Sequence, residues 1–263
     1  MNWPSEVRSF ATFRRFVDRG VAALQARNAA TAMDYFRAAH ELATQYRLGD
    51  DAACGALINL SMAQRLAGHI DAALDSLARA LQLKGIGVAQ RAALWNHLGV
   101  LYGERGEYRQ ATYCCIRAYR LGAFPGGVDL RAEAAGNVVD LYLRLGASQK
   151  ATRWAVRAVL CARQAAPWRR QGVALQVATL CLATNRTRLA GRILGRLERE
   201  PLAPDFTSQF LRLRAEWWFR QGNRQRALAC AVRALDAAVR DLSPEDIEDA
   251  SHTLARLQGE EPA

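Results

Sequence analysis

Small and apolar residues return along the chain in a frame that repeats six times. One small position reads Ala32, Ala73, Ala111, Ala151, Ala190 and Ala227. A second, seven residues later, reads Ala39, Ala80, Ala118, Ala158, Leu197 and Ala234. Between them lie Phe36, Leu77, Cys115, Ala155, Leu194 and Ala231. Apolar residues four and seven apart share one helix face, so each set predicts a helix buried along that face. Upstream of each, a small residue (Gly20, Ser61, Gly99, Val139, Ala178, Ala215) precedes a generally larger one three positions on (Ala23, Gln64, Tyr102, Tyr142, Cys181, Trp218). That predicts a first helix packed on the second, the small residues permitting close approach. Gly68, Gly106, Gly146 and Gly222 fall between the paired helices, with Arg27 and Asn185 in the other two turns.

Six helix hairpins follow, over about residues 13–46, 54–87, 92–125, 132–165, 171–204 and 208–241, in one domain spanning 1–263. Abundant Ala and Leu with few β-branched runs favour helix throughout, so the expected class is all-α. Ser243-Pro244-Glu245-Asp246 combines a capping Ser, a first-position Pro and first-turn acids. It predicts a capping helix over about 244–257. Its polar Glu248, Asp249 and His252, set among Ile247, Ala250, Leu254 and Leu257, suit a half-polar lid on the last hairpin.

The segment Trp95-Asn96-His97-Leu98-Gly99-Val100-Leu101-Tyr102, followed by Gly106-Glu107-Tyr108, Ala111, Cys115 and Ala118, resembles the tetratricopeptide-repeat signature. Cys115 stands where an aromatic is usual. The frame's spacing departs from the family's usual repeat of about 34 residues: from Ala32 the steps are 41, 38, 40, 39 and 37. Longer connections such as Leu121–Gly127 and Pro201–Pro204 account for the difference. Repeats of this length are similar to those of bacterial peptide-sensing and transcription-activator sensor domains, and HEAT-like stacking has a similar period. The resemblance implies a right-handed α-solenoid whose first helices line a concave wall.

It also implies which positions face that wall. The sixth position of each repeat reads Asp18, Asn59, His97, Asn137, Gln176 and Leu213. Asn59, His97, Asn137 and Gln176 thus form a polar ladder. A side-chain amide offers donor and acceptor in one plane, matching the backbone of an extended peptide. Charged neighbours Arg14, Arg65, Glu104, Glu133, Asp140, Arg144, Arg212, Glu216 and Arg220 carry both signs, which suits a ligand of mixed charge. The family's carboxylate clamp wants Lys and Asn four apart; Val17 and Val21, then Ile58 and Met62, stand there instead. The primary expectation is a scaffold or adaptor holding a protein or peptide segment. The alternative is a peptide-responsive sensor module of a bacterial regulatory system.

Charge adds a second surface. The chain carries +11, and from Arg144 to Arg240 there are 19 Arg and Lys against five Asp and Glu. A position late in the second helices reads Ala38, Arg79, Arg117, Arg157, Arg196 and Arg233, with Arg153 and Arg192 four residues before two of them. Arg117, Arg153, Arg157, Arg192, Arg196 and Arg233 form an arginine stripe that would attract acidic protein or, as the lesser expectation, nucleic acid.

Chemistry is not expected. The four His fall in no HExxH pattern, and no phosphate-binding loop or nucleophile elbow occurs. The six Cys show no metal-type spacing and read as free thiols in a reducing compartment. No catalytic residue, metal or cofactor is assigned. The N-terminal residues lack a basic and an apolar signal region, and no uncharged apolar run approaches a membrane span of about 18 residues. The expected location is cytoplasmic.

Overall fold

The computed structural model describes residues 5–241 and 244–259. Thirteen α-helices and one 3-10 turn make up its regular structure, with no strand among the described residues. The helices fall into two compact units, Met1–Leu130 and Arg131–Ala263. In the first, α1 (Ser5–Gln25) pairs with α2 (Ala29–Gln45), α3 (Asp50–Leu66) with α4 (Ile70–Leu81), and α5 (Val88–Glu104) with α6 (Tyr108–Leu121). The second unit begins within α7 (Val128–Arg144) and continues through α8 (Ser148–Ala162), α9 (Pro167–Ala183) and α10 (Thr187–Leu197). Beyond the 3-10 turn Pro204–Phe206 come α11 (Thr207–Arg220), α12 (Arg224–Arg240) and α13 (Pro244–Gln258).

All six hairpin turns share one device. Arg27, Gly68, Gly106, Gly146, Asn185 and Gly222 adopt φ between +56° and +79°. The following N–H then reaches back to a carbonyl five residues earlier, at Ala23, Gln64, Tyr102, Tyr142, Cys181 and Trp218, over 2.7–3.0 Å. This six-to-one bond satisfies a carbonyl that the helix end would otherwise leave unpaired. Two second helices are also capped at their start: Asn28 Oδ1 accepts from Thr31 N at 3.1 Å, and Asn223 Oδ1 from Arg226 N at 3.0 Å.

The repeated small positions lie at the seams. Ala32, Ala73, Ala111, Ala151, Ala190 and Ala227 are all inaccessible to solvent. Phe36, Leu57, Leu77, Leu94 and Leu101 fill the core of the first unit, and Leu175, Leu182, Leu194 and Leu197 that of the second. Gly99 explains why one first-helix position stays small. A Cβ there would collide with Cys115 Sγ and crowd the Ala111 carbonyl at 3.2 Å. None of the six cysteines is in a disulfide.

α13 packs on α11 and α12. Its Ala250 and Leu257 are buried while Glu248 and His252 stay exposed. Arg224 on α12 donates to the Leu257 and Gln258 carbonyls at 3.1 and 3.0 Å, closing the helix end. Ser243, read above as its N-cap, lies outside the described residues. No helix among the described residues is long and apolar enough to cross a membrane.

Candidate functional site

Each unit carries part of the expected binding wall. In the first, Asn59 on α3 and His97 on α5 are both half-buried, and α3 packs against α5. The Arg65 guanidinium on α3 pairs with Glu104 on α5 at 2.7 Å. Both charges proposed for a ligand are thus engaged with one another.

The second unit assembles more. Gln176 on α9 lies over Gly136 on α7, in space that a Cβ at that position would occupy. From there Gln176 Nε2 donates to Asn137 Oδ1 at 3.4 Å. The same side chain hydrogen-bonds Asp140, one turn further along α7. Burial pushes the Asp140 carboxyl up to about 7, against the opposing pull of that hydrogen bond and of the Arg144 and Arg212 charges. Arg212, on α11, donates through Nη1 to Asp249 Oδ2 on α13 at 2.5 Å. Further along α11, Glu216 accepts from Arg220 Nε at 2.6 Å and from Arg256 of α13. Burial alone would raise the Glu216 carboxyl, but its two arginine partners outweigh that and hold it below its ordinary value. Arg220 Nη1 also donates to the Leu182 carbonyl at 2.5 Å, tying α11 to α9. Glu133 on α7 pairs with Arg169 on α9, which lies outside the expected set, at 2.7 Å.

Gln176 therefore joins Asn137 and Asp140 in one polar group, with the Arg144 and Arg212 charges beside Asp140, while Glu216 belongs to a separate cluster with Arg220 and Arg256. Leu213, at the ladder's register in α11, is buried with Leu175 and Leu194. Six of the nine mixed charges read as contacts for a ligand are ion-paired within the protein, Arg65 with Glu104 and Glu216 with Arg220 inside the set, Glu133 with Arg169 and Arg212 with Asp249 outside it. Sequence reasoning missed Gly136 and Arg256, and placed Asp249 on the capping helix without its partner Arg212. The available signal was spacing: the linked residues are 37–40 positions apart, the length of one repeat.

Arg117, Arg153, Arg157, Arg192, Arg196 and Arg233 are all exposed. Arg117, in the first unit, lies 4.1 Å over the Trp95 ring. In the second, Arg157 lies 4.6 Å over Trp154 and Arg196 pairs with Glu200 at 3.4 Å.

The site offers amide donors and acceptors, one carboxyl near its titration point and several fixed cations. That is equipment for recognition. Among the described residues no three His, Cys, Asp or Glu side chains gather as they would around a metal. Burial raises the Cys54 and Cys114 thiols to about 11 and lifts those of Cys181 and Cys230 as well. This opposes the thiolate character a cysteine nucleophile needs.

No family model and no curated protein matches the chain. Solved structures do. PilF of Pseudomonas aeruginosa superposes with a TM-score of 0.63 at 16% identity, over 96% of this chain and 99% of that one. A chain of the APC/C hetero-tetramer Cut9–Hcn1 gives 0.67 at 15%, over 96% and 46%. A tetratricopeptide repeat protein of Parabacteroides merdae ATCC 43184 gives 0.54 at 17%, over 95% and 93%. This chain has the tetratricopeptide-repeat fold.

Proposed function

We propose that this chain is a non-catalytic, cytoplasmic interaction scaffold that holds an extended segment of a protein partner along its first helices. In the second unit the contacts come from Asn137 and Gln176, flanked by Asp140, Arg144 and Arg212. Asn59, His97 and Arg65 play the matching part in the first. The observation that carries the reading is the seat of Gln176 on Gly136. A mid-helix glycine is costly by about 0.5–1 kcal/mol relative to alanine, and here its missing side chain makes room for an amide beside Asn137. Pre-positioned amides lose less conformational freedom when a peptide backbone docks on them. Hydrogen bonds to the backbone would give grip and the charged flanks would give selectivity. One structural neighbour is a chain of an assembly, the APC/C hetero-tetramer Cut9–Hcn1.

The test is affinity capture from native cytosol with the wild-type chain and with Asn137→Ala/Gln176→Ala, both verified as folded by circular dichroism. A partner held by the wild type and lost by the double variant supports the reading. A partner retained equally by both would sink it. Limited proteolysis of the captured complex then tests whether the partner contributes an extended segment, protected only while bound.

A further inference from the structure

Helix α8 has a face whose arginines no carboxylate among the described residues of its own unit neutralises. Its buried side carries Ala151, Trp154, Ala155, Ala158 and Ala162. Its exposed side alternates cations with aliphatics: Arg153, Val156, Arg157, Val159 and Leu160, the three aliphatics exposed to 58%, 40% and 53%. Ordinarily such side chains on a helix of this kind would be polar. Three neighbouring large apolar groups at i, i+3 and i+4 form a patch rather than scattered exposure.

The charge pattern is equally one-sided. α8 contains Lys150, Arg153 and Arg157 and no Asp or Glu. Along the first helices of the same unit, Arg169, Arg212 and Arg220 each pair with a carboxylate. Among the described residues no carboxylate pairs with Arg153 or Arg157. Arg157 is nevertheless held in position, its guanidinium 4.6 Å over the buried Trp154 ring. An arginine already stacked on an aromatic face forfeits less side-chain entropy when a carboxylate arrives.

We propose that the exposed face of α8 is a docking surface for an acidic amphipathic segment of another protein, one presenting Leu-type side chains to Val156 and Leu160 and carboxylates to Arg153 and Arg157. This goes beyond the reading of the first helices and stands on different residues. A second copy docking by this same face would oppose arginine to arginine, which disfavours a two-fold contact through α8. Single-stranded nucleic acid takes much of its affinity from stacking on open rings. α8 presents none, because Trp154 is only 8% exposed and lies under Arg157.

The experiment uses the full chain and a fluorescent synthetic helix with leucines on one face and glutamates on the other, read by anisotropy. Controls are the same helix with Glu replaced by Lys, a single-stranded oligouridylate, and vesicles of phosphatidylcholine with phosphatidylserine. The acidic helix is expected to bind, and the Lys helix not to. Arg153→Ser/Arg157→Ser and Val156→Ser/Leu160→Ser should each weaken binding by at least about tenfold, the scale set by burying one leucine. All four positions are exposed, so both variants should keep the wild-type circular dichroism. Asn137→Ala/Gln176→Ala should bind the acidic helix normally. The proposal is overturned if the acidic helix does not bind, or if it binds equally to both α8 variants. Tighter binding to the oligouridylate or to the vesicles, lost in the same variants, would overturn it in favour of nucleic acid or an anionic membrane.

Discussion

Gln176 reaches from α9 over the bare backbone of Gly136 and donates to the Oδ1 of Asn137 on α7, 3.4 Å away. The two amides are 39 residues apart and occupy equivalent places in successive hairpins. Their contact makes the spacing between repeats a physical coordinate, because stacked first helices bring like positions together.

Gly136→Ala is therefore expected to separate stability from binding. Its new Cβ would displace the far end of a flexible side chain, so the fold can adjust. A helix-interior Gly→Ala change brings about 0.5–1 kcal/mol of propensity in return. Urea denaturation should give a midpoint equal to or above wild type, while capture of the partner falls to the level of the Asn137→Ala/Gln176→Ala variant. A variant that binds normally would dissociate the seat from the function.

Asp140 sets a pH dependence of definite sign. Its carboxyl titrates at about 7 in the folded chain, against about 3.9 when unfolded. Between those values the folded state holds a proton that the unfolded state has released. The stability contributed by this group thus falls as pH rises through that window and levels off above about 7. Glu216, held below its ordinary value, does the opposite, and its contribution is lost as the solution is made strongly acidic. Urea midpoints of wild type and Asp140→Asn at about pH 5 and about pH 8 isolate the first effect. The advantage of wild type over the variant should shrink, or reverse, at the higher pH.

The turns offer a cleaner test of backbone strain. Arg27 and Asn185 stand at φ +56° and +58°, where four of the other hairpins use glycine. A left-handed conformation costs an ordinary residue about 1–2 kcal/mol, offset in part by glycine's greater freedom when unfolded. Arg27→Gly should raise stability by about 0.5–1 kcal/mol on this balance. Asn185→Gly should gain less, because asparagine tolerates this region. Gly106→Ala should cost about 1 kcal/mol. Calorimetric melting points would rank all three.

Thiol accessibility gives an independent check on packing. Cys54, Cys114, Cys115 and Cys181 are buried, whereas Cys161 and Cys230 are half-exposed. Burial also raises Cys230, assisted by Glu198 and opposed by Arg214 and Arg233. Brief iodoacetamide treatment at neutral pH, read by peptide mass spectrometry, should modify Cys161 first. Early labelling of Cys54 or Cys114 would contradict the packing around them.

Much of this was legible in the residues. Ala32, Ala73 and their counterparts return with too regular a period for an unstructured chain, and the turn positions followed from the same frame even where Arg27 and Asn185 replace glycine. Ion pairing was harder to see. The frame places Arg65 and Glu104 on first helices, but only the stacked geometry shows that each is the other's partner. Asp249 reads only as a polar residue of the lid, because it lies on the capping helix outside the six repeats, where no frame position points to Arg212 as its partner. Gly136 is one small residue in a helix rich in alanine, and no frame position singles it out. Its meaning depends on Gln176, and therefore on how α9 lies against α7.

The repeat-length reach of these contacts bears on how the chain acquires its structure. Many side-chain ties between successive helix pairs join residues about one repeat apart: His40 with Arg79, Arg65 with Glu104, Glu133 with Arg169, Asn137 with Gln176, Leu182 with Arg220, Arg212 with Asp249 and Glu216 with Arg256. Each tie closes a loop of one repeat and no more, so its entropic cost does not grow with chain length. A hairpin emerging during synthesis meets its partners as soon as the next one is complete. Assembly can advance as a zipper, each finished repeat serving as the template for the one that follows.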